Sequence, residues 1–581
     1  MALGGMFQGF VFQNEEKGSE ANPPQFFWRH SFMLKIIPLG GLGEIGLNMM
    51  VFEYGDDMFV VDAGLMFPED YMLGVDIVIP DMEYIRGNAH KIRAILITHS
   101  HEDHIGALPY LLRELSVPVY GTAFTMGIIA NKLEDFDYPT AADLRVIRPG
   151  EVLDIGVFSV RFIRVSHSTV DGVGMGIQTP QGLVVHTGDF RINHNSVDGM
   201  ITDVNAFALC GKEGVLALLS DSTNVEKEGY TISDETVGRT LEQLIHDAPG
   251  RVIVALFASN VARIQQLVDI ARRMGRRVVF NGRSMELSVR VARELGYLSV
   301  PEGMEMDLGQ MGQNTDERII MITTGSQGEP MSALSRMAEG SHKQIRIRSG
   351  DTVILSSKSI PGNEKAITAI INSLYRRGAN VIYNKMADVH VSGHAFREEL
   401  KLMMNLTKPR YFIPIHGEYR HLVHHARLAV ETGIPRERVL LAENGQSVVF
   451  DEKGGRMGPV VHTGRILIDG KGIGDVGRSV LRERRILSED GIAVVTMVID
   501  QETGVVLYGP ELISRGFVFW TETGHVLDDA QCVILEIVED VGPDTPNRVE
   551  IIKSRLQKAL RQYFYFTIRR RPIILAQIFE V

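Results

Sequence analysis

The chain has 581 residues, a net charge of −12, 44% hydrophobic and 23% charged residues, a balance that suits a globular protein of two or three domains rather than a single core. No apolar run approaches the roughly 18 residues of a membrane span, and the acidic total excludes a basic coat over the whole surface while leaving room for a local basic channel. The only cysteines, Cys210 and Cys532, stand far apart in no metal-type spacing, which points to a reducing cytoplasm.

Residues 1–33 contain Gly, Asn, Pro and acidic residues, and no Lys or Arg precedes the apolar MFQGFVF. This is a poor signal peptide and reads as a mobile tail, with Met33 a candidate alternative start. From Leu34, LKIIPLGGLGEIG carries a formal G-x-G-x-x-G at Gly41, Gly43 and Gly46 after a strand. A dinucleotide-binding loop needs a helix next. The adjoining segment LNMMVFEYGDDMFVVDAG reads instead as two strands joined at Gly55-Asp56, so the glycines are assigned to a tight turn. Asp62 closes the second of these strands. IRAILIT then reads as a buried strand, and HSHEDH after it crowds His99, His101, Asp103 and His104 together in a chain with only 18 histidines. Ile105, Leu108, Leu111, Leu112 and Leu115 recur at helical spacing, with Pro109 tolerable only in the first turn of that helix. Imidazole and carboxylate without a thiol suit Zn²⁺, Mn²⁺ or Fe²⁺.

Three later β-like runs also end in polar groups: IRVSHSTVDG at His167, GLVVHTGDFRI at Asp189, and RYFIPIHGEYRHL at His416. The stretch between Asp189 and His416 is longer than a plain hydrolase domain requires, which predicts an inserted domain starting near LLSDSTNVEKEGYTISDE. Within it, RVIVALFASNVARIQQLVDIARRMGRRVVFNGRS reads as strand, helix, strand. RIIMITTGSQGEPMSAL and DTVILSSKSIPGNEKAI each repeat a strand, a Gly/Ser loop and a helix, predicting an α/β insert with a parallel sheet. The chain returns through VIYNKMADVHVSGHA. The C-terminal region offers a hairpin around Glu502-Thr503-Gly504, an amphipathic helix in RVEIIKSRLQKALRQYFY and a final strand in RPIILAQIFEV, a small α+β domain. His462 is taken as structural. In RQYFYFTIRRRP, Tyr563 to Phe566 read as core continuing the helix, with stacking on single strands as the alternative.

H-x-H-x-D-H after a strand resembles the metallo-β-lactamase superfamily signature. SDSTNVEKEGYT, FASNVARIQQ, TTGSQGEP, IPGNE and HVSGHA together are similar to the ribonuclease J family of its β-CASP branch, over a stretch from Leu34 to the C-terminus. The resemblance implies an α/β protein: a metallo-β-lactamase αββα sandwich, an inserted α/β β-CASP domain and a small C-terminal α+β domain. The expected divisions are tail 1–33, metallo-β-lactamase domain 34–233 and 393–464, β-CASP domain 234–392, and C-terminal oligomerisation domain 465–581. It further implies two divalent ions, Zn or Mn: His99, His101, His167 and Asp189 would hold one, and Asp103, His104, Asp189 and His416 the other, with Asp189 bridging. Asp62 would orient a ligating histidine from behind. In the family, the Ser and second His of HVSGH bind an RNA phosphate, here Ser392 and His394 beside His390, and Ser259 and Asn260 would complete a pocket for a 5′-monophosphate; turn and cap roles are the plain alternative. Asp103 would orient the attacking hydroxide and His394 would protonate the leaving 3′-oxygen.

The activity so implied is metal-dependent hydrolysis of single-stranded RNA, 5′ to 3′ and favouring a 5′-monophosphate, with internal cuts where the channel is open, serving RNA decay and maturation, rRNA processing included. It goes with a cytoplasmic, membrane-free homodimer or homotetramer and with RNA-decay or ribosome-associated partners. Arg272, Arg273, Arg276, Arg277 and Arg283, with Lys343, Arg346 and Arg348, are candidates for lining an RNA path, or are ordinary solvated helix ends. One departure is Ala262, where many relatives carry a histidine; a base or phosphate contact there stays open. The rival readings are a DNA nuclease of the same branch and a small-molecule hydrolase, which would not need the insert.

Overall fold

A computed structural model describes residues 33–136, 142–193, 199–313, 315–329, 331–358, 363–470, 472–517 and 525–581. The expected tail, apart from Met33, and part of IPGNE lie outside these residues. Two sheets face each other. The eight-stranded one runs in the order Gly454–Val460, Gln446–Asp451, Leu34–Gly40, Met49–Tyr54, Asp57–Val61, Ile92–Leu96, Val119–Gly121, Leu144–Val146. The six-stranded one runs Tyr411–Ile415, Val215–Asp221, Gly182–His186, Val173–Thr179, Phe158–Arg164, Val152–Ile155. Leu34, Phe52 and Phe59 from the first interlock with Phe158, Phe162, Val184 and Ile413 from the second. The Phe52 and Phe59 rings stack 5.0 Å apart, and Phe158 meets Phe59 edge-on at 5.0 Å. Helices cover both outer faces, Leu108, Leu111 and Ile129 on one and Phe207, Met403 and Leu428 on the other. This is the αββα sandwich that the resemblance implied.

Strand direction decides what gathers at the sandwich edge. Asp57–Val61 and Ile92–Leu96 run parallel, so Asp62 and the His99 loop leave the sheet at the same end. Gly182–His186, Val215–Asp221 and Tyr411–Ile415 are also mutually parallel, which carries Asp189, Asp221 and His416 to one edge. The turn at Gly55-Asp56 joins an antiparallel pair, Met49–Tyr54 with Asp57–Val61, and no helix follows the glycine loop. Instead Leu42–Gly43 pairs with Gly417–Glu418 beside His416, and positive φ angles at Gly41, Gly43 and Gly46 let the loop turn there. The helix predicted after His104 is two short ones, Glu102–Ile105 and Leu108–Leu111. Gly106 ends the first, and Pro109, with no N–H to donate, fits only because the second starts afresh.

The insert is a five-stranded parallel sheet, ordered Arg277–Asn281, Ile319–Thr323, Val252–Ala255, Thr352–Leu355, Asn380–Tyr383, with apolar clusters under helices on both faces. In the C-terminal part, Ile492–Ile499 is flanked by antiparallel Val506–Arg515 and parallel Ile573–Glu580. Helices Val526–Asp540 and Arg548–Ile568 cover one face, onto which Ala493, Val495, Met497 and Ile499 point. Arg465–Asp469 pairs with Ile77–Pro80, stitching the approach to these elements onto the N-terminal region. The aromatic run corrects the core reading in part: Phe564 is fully buried, but Phe566 is 73% exposed. Leu556, Leu560 and Phe564, four apart, fill the inward stripe and leave no inward place for Phe566. No described helix is long and apolar enough to cross a membrane.

Candidate metal centre

One carboxylate oxygen sits at the centre of the edge cluster. Asp189 Oδ2 lies 3.8 Å from His99 Nε2, 3.8 Å from His167 Nε2, 3.3 Å from His104 Nε2 and 3.6 Å from His416 Nε2. Among the described residues the donors at this edge form two adjoining groups and a third that overlaps the second, Asp189 with Asp221, His394 and His416. His99, His101 and His167 converge on one side, with His167 Nε2 3.2 Å from His101 Nδ1. Asp103, His104, Asp189 and His416 converge on the other, with Asp103 Oδ2 3.4 Å from His416 Nε2 and 3.6 Å from His104 Nε2. Three or four ring nitrogens and carboxylate oxygens at such spacing, buried or partly buried, suit a divalent cation. His99 Nε2 is buried with no hydrogen-bond partner, as expected of an atom meant for a metal.

Burial holds the imidazoles of His99 and His167 well below the usual histidine range and lowers His101 to about 4. Burial acts the same way on His104 and His416, but the carboxylates around them, Asp189 first, overcome it and raise both. Burial would also raise Asp103 and Asp189, yet the neighbouring His104 and His416 hold both carboxyls far below their ordinary range. Neutral imidazoles next to ionised carboxylates are the states that ligate a metal, and a bound cation would replace the protons at His104 and His416.

The ligand-type side chains are held from behind. His104 Nδ1 donates to Asp62 Oδ2 at 2.7 Å, and Asp62 Oδ1 accepts the Thr98 N–H at 2.8 Å. Asp62 has φ 63°, a conformation that Asp and Asn tolerate better than most residues. His167 Nδ1 donates to the Gly393 carbonyl at 2.8 Å. A Cβ at Gly393 would stand 2.5 Å from His167 Nδ1, so only glycine lets that segment pass so near the ring. His101 Nε2 shares a 2.9 Å hydrogen bond with Ser259 Oγ.

The sequence pattern did not single out Asp221. It lies in the quoted LLSDS, at the end of a strand, and its Oδ2 accepts from His394 Nδ1 at 2.8 Å while its Oδ1 lies 3.5 Å from His416 Nδ1. Thr223 Oγ1 adds a 2.7 Å contact to His416 Nδ1. A polar residue closing an apolar strand was the available signal, the same one that marked Asp189. His394 Nδ1 is 3.9 Å from Asp189 Oδ2, so His394 borders the metal-type cluster.

The remaining sequence candidates divide. Ser392 Oγ accepts from Asn224 Nδ2 at 2.6 Å and from the His394 backbone N–H at 3.4 Å, which keeps Ser392 and His394 together. Burial lowers His390 to about 3, and Arg263 and Lys227 add to the effect. Ser259 hydrogen-bonds His101, and Asn260 is the cap whose Oδ1 accepts from the Arg263 N–H at 3.1 Å. Among the described residues no hydrogen bond joins either to Ser392 or His394. The basic segment of the insert is tied down too: Arg276 binds the carbonyls of Ile245, Ala248 and Gly250, and Arg273 pairs with Glu242. Arg283 pairs with Asp135, Arg348 with Asp316, and Arg346 binds the carbonyls of Gly340 and His342.

Four family models match in turn along the chain: Metallo-beta-lactamase superfamily over 42–249, Ribonuclease J beta-CASP domain over 249–374, Zn-dependent metallo-hydrolase RNA specificity domain over 380–439, and Ribonuclease J C-terminal domain over 479–581. Ribonuclease J2 of Bacillus subtilis (strain 168) is 41% identical over 548 residues, covering 94% of this chain and 99% of that one. Ribonuclease J of Thermus thermophilus is 40% identical over 573 residues, 97% of each chain. Among solved structures, a protein of unknown function from Enterococcus faecalis V583 aligns with a TM-score of 0.51 at 17% identity over 72% of this chain and all of that one, a likeness of fold.

Proposed function

The chain belongs to the ribonuclease J family, and on that premise we propose that it removes nucleotides from the 5′ end of single-stranded RNA, favours a 5′-monophosphate, and cuts internally where the channel admits a strand. At the coarser level it is a metal-dependent ribonuclease. The Asp189 carboxylate oxygen that faces two donor groups carries the metal part of this reading: it supports a pair of divalent ions, Zn or Mn, which His99, His101, His167, Asp103, His104, Asp189 and His416 would hold, whereas the 5′ preference rests on likeness to the family. Bound there, such ions supply Lewis acidity to the phosphodiester and acidify the attacking water.

The protein's own groups do the rest. Asp103, whose side chain is 29% exposed beside His104 and His416, orients the attacking water. His394 keeps its Nδ1 on Asp221, which fixes the ring and leaves Nε2 to hand a proton to the leaving 3′-oxygen. Ser392 and His394 bind a substrate phosphate beside the metals, and His390 contributes from the same segment. Ser259 acts by orienting His101, as Asp62 orients His104. We keep the domain division at 34–233 with 393–464, 234–392, and 465–581, with assembly to a dimer or tetramer through the last. Exposed Ile513, Leu575 and Phe579 on its open sheet face support that role. Two free cysteines support a cytoplasmic protein.

The test is one single-stranded RNA, 5′-labelled and prepared with a 5′-monophosphate, 5′-triphosphate or 5′-hydroxyl, beside a matched DNA, with Mn²⁺, Zn²⁺ or EDTA. Metal-dependent release of labelled mononucleotide, fastest from the monophosphate RNA, is the expected result. Internal fragments regardless of the 5′ end would remove the 5′ preference, and cleavage of DNA alone would overturn the ribonuclease reading.

A further inference from the structure

The arginines that sequence alone suggested for an RNA path are held by internal partners, Arg272 by Asp269 and Arg277 by the Glu305 carbonyl among them, and a group of cations at the end of the last helix is not. Along helix Arg548–Ile568 the first charges are paired, Lys553 with Glu550 at 2.9 Å and Arg555 with Asp540 at 2.5 Å. Its last turns change character. Lys558, Arg561, Arg569, Arg570 and Arg571 are exposed, and among the described residues none of them has a carboxylate within ion-pairing distance. On a chain of net charge −12, this run is a local positive patch that favours an anionic partner.

Aromatic rings sit among these cations. Lys558, Arg561, Gln562 and Tyr565 succeed one another at helical spacing on one stripe, and Phe566 borders it. Arg569 ends the helix at φ 58°, and the chain there turns the arginines back over Tyr565. The Arg571 guanidinium lies 4.1 Å and that of Arg569 5.3 Å from the Tyr565 ring centre. The Phe566 ring, 5.9 Å from that of Tyr565 and inclined at 68°, is 73% exposed, and nothing in the packing explains it. The guanidinium groups of Arg569 and Arg571 lie against the Tyr565 ring and have no carboxylate partner, which leaves N–H groups to meet phosphate oxygens.

We propose that this patch is a second binding site for single-stranded RNA, with an unpaired base stacking on Phe566 and successive phosphates paired to Arg569, Arg570, Arg571, Lys558 and Arg561. The inference rests on the ribonuclease reading and adds a contact outside the metal edge. A base in a duplex would have its faces covered, so the ring selects single strands. A second copy of this chain fits worse, because two such patches brought together would set like charges face to face, whereas the apolar surface at Ile513, Leu575 and Phe579 lies on the opposite side of the sheet.

The experiment uses the full chain with metal and two 5′-monophosphate RNAs, one of about four nucleotides and one of about 30, the longer also in a non-cleavable form for binding. Phe566→Ala should weaken binding of the long RNA about tenfold, the order expected for one stacked base. Phe566→Trp should bind as the wild type does. Replacing Arg569, Arg570 and Arg571 by Ala should weaken it further and flatten its salt dependence by about two units of log–log slope. Cleavage of the short RNA should not change in any variant. Long-RNA affinity equal to wild type in both the Phe566→Ala and triple-arginine proteins would overturn the inference. So would an altered oligomeric state, read by light scattering, with RNA binding intact. A wild type that cleaves neither RNA would instead bring down the ribonuclease reading, which keeps the two failures apart.

Discussion

Replacing Asp62 by Asn tests the support of the metal edge with little change in shape. Asp62 Oδ1 accepts the Thr98 N–H, Oδ2 accepts His104 Nδ1–H, and all three residues are buried. Asn keeps one carbonyl oxygen for Thr98 and tolerates the left-handed backbone that Asp62 adopts at φ 63°. Its amide N–H groups, however, face His104 Nδ1 as donors. The imidazole must then accept at Nδ1 and carry its proton on Nε2, the nitrogen that faces Asp189 and Asp103. A protonated Nε2 cannot ligate. Loss of such a supporting group lowers metal affinity about 10–100-fold, or about 1.4–2.8 kcal/mol. Asp62→Ala strands the buried Thr98 N–H, about 1–3 kcal/mol of lost stability, and leaves His104 Nδ1 only its 3.3 Å contact with Thr98 Oγ1. The assay is metal affinity by competition with a chromophoric chelator, alongside thermal unfolding in EDTA and RNA cleavage at limiting and excess metal. The Asn variant should fold, bind metal weakly and recover cleavage as metal is raised. Affinity within twofold of wild type, or cleavage lost with affinity intact, would refute the assignment of Asp62 as the group that sets the His104 tautomer.

The same geometry carries other expected outcomes. Asp103→Ala should cost about 10³-fold or more in cleavage rate, the scale of losing a group that acts on the reacting atoms, with melting temperature little changed because that side chain is partly exposed; full activity in the variant would show that the residue is misassigned. Gly393→Ala should push the His167 ring aside, since the new Cβ would meet its Nδ1 at 2.5 Å, and direct metal analysis should find the His99, His101 and His167 group depleted while the chain remains folded. Buried His425 gives a pH effect. Burial lowers it to about 3 from 6.5, so it is neutral when folded while the unfolded chain takes up a proton. Its contribution is fully present above about pH 6.5 and is lost as pH falls toward 3, about 2 kcal/mol by pH 5. Denaturant unfolding should therefore show the wild type losing more stability between pH about 7 and about 5 than His425→Gln does; equal losses would contradict the assignment.

Much of the site was legible because its chemistry is local in sequence. HSHEDH after a strand brings His99, His101, Asp103 and His104 into six positions, and polar residues closing later strands mark His167, Asp189 and His416. Strand periodicity with Gly/Ser loops foretold the parallel sheet of the insert. Pro109 limited the helix after the cluster but could not by itself say that the chain would make two short helices. The aromatic run near the C-terminus has alternating apolar residues whose inward or outward sense is settled only by the helix's rotation against its sheet, which buries Phe564 and exposes Phe566.

What the sequence determined by itself was therefore the inventory: which side chains can ligate a cation, which segments are strands, and which of them end in polar groups. The tertiary structure alone decided who stands behind whom. It brought Asp221 against His394, Ser259 against His101 and the Gly393 carbonyl against His167, across 173, 158 and 226 positions of chain. It also sorted the arginines, giving Arg273, Arg276, Arg283, Arg346 and Arg348 of the insert to internal carbonyls and carboxylates and leaving those at the end of the last helix without ion-pair partners. The physical reason is one of range. Backbone preference and side-chain chemistry act on neighbours in sequence, whereas the partner of a buried polar atom, or its lack of one, is set by parallel strands that end together at one edge after the chain has closed on itself.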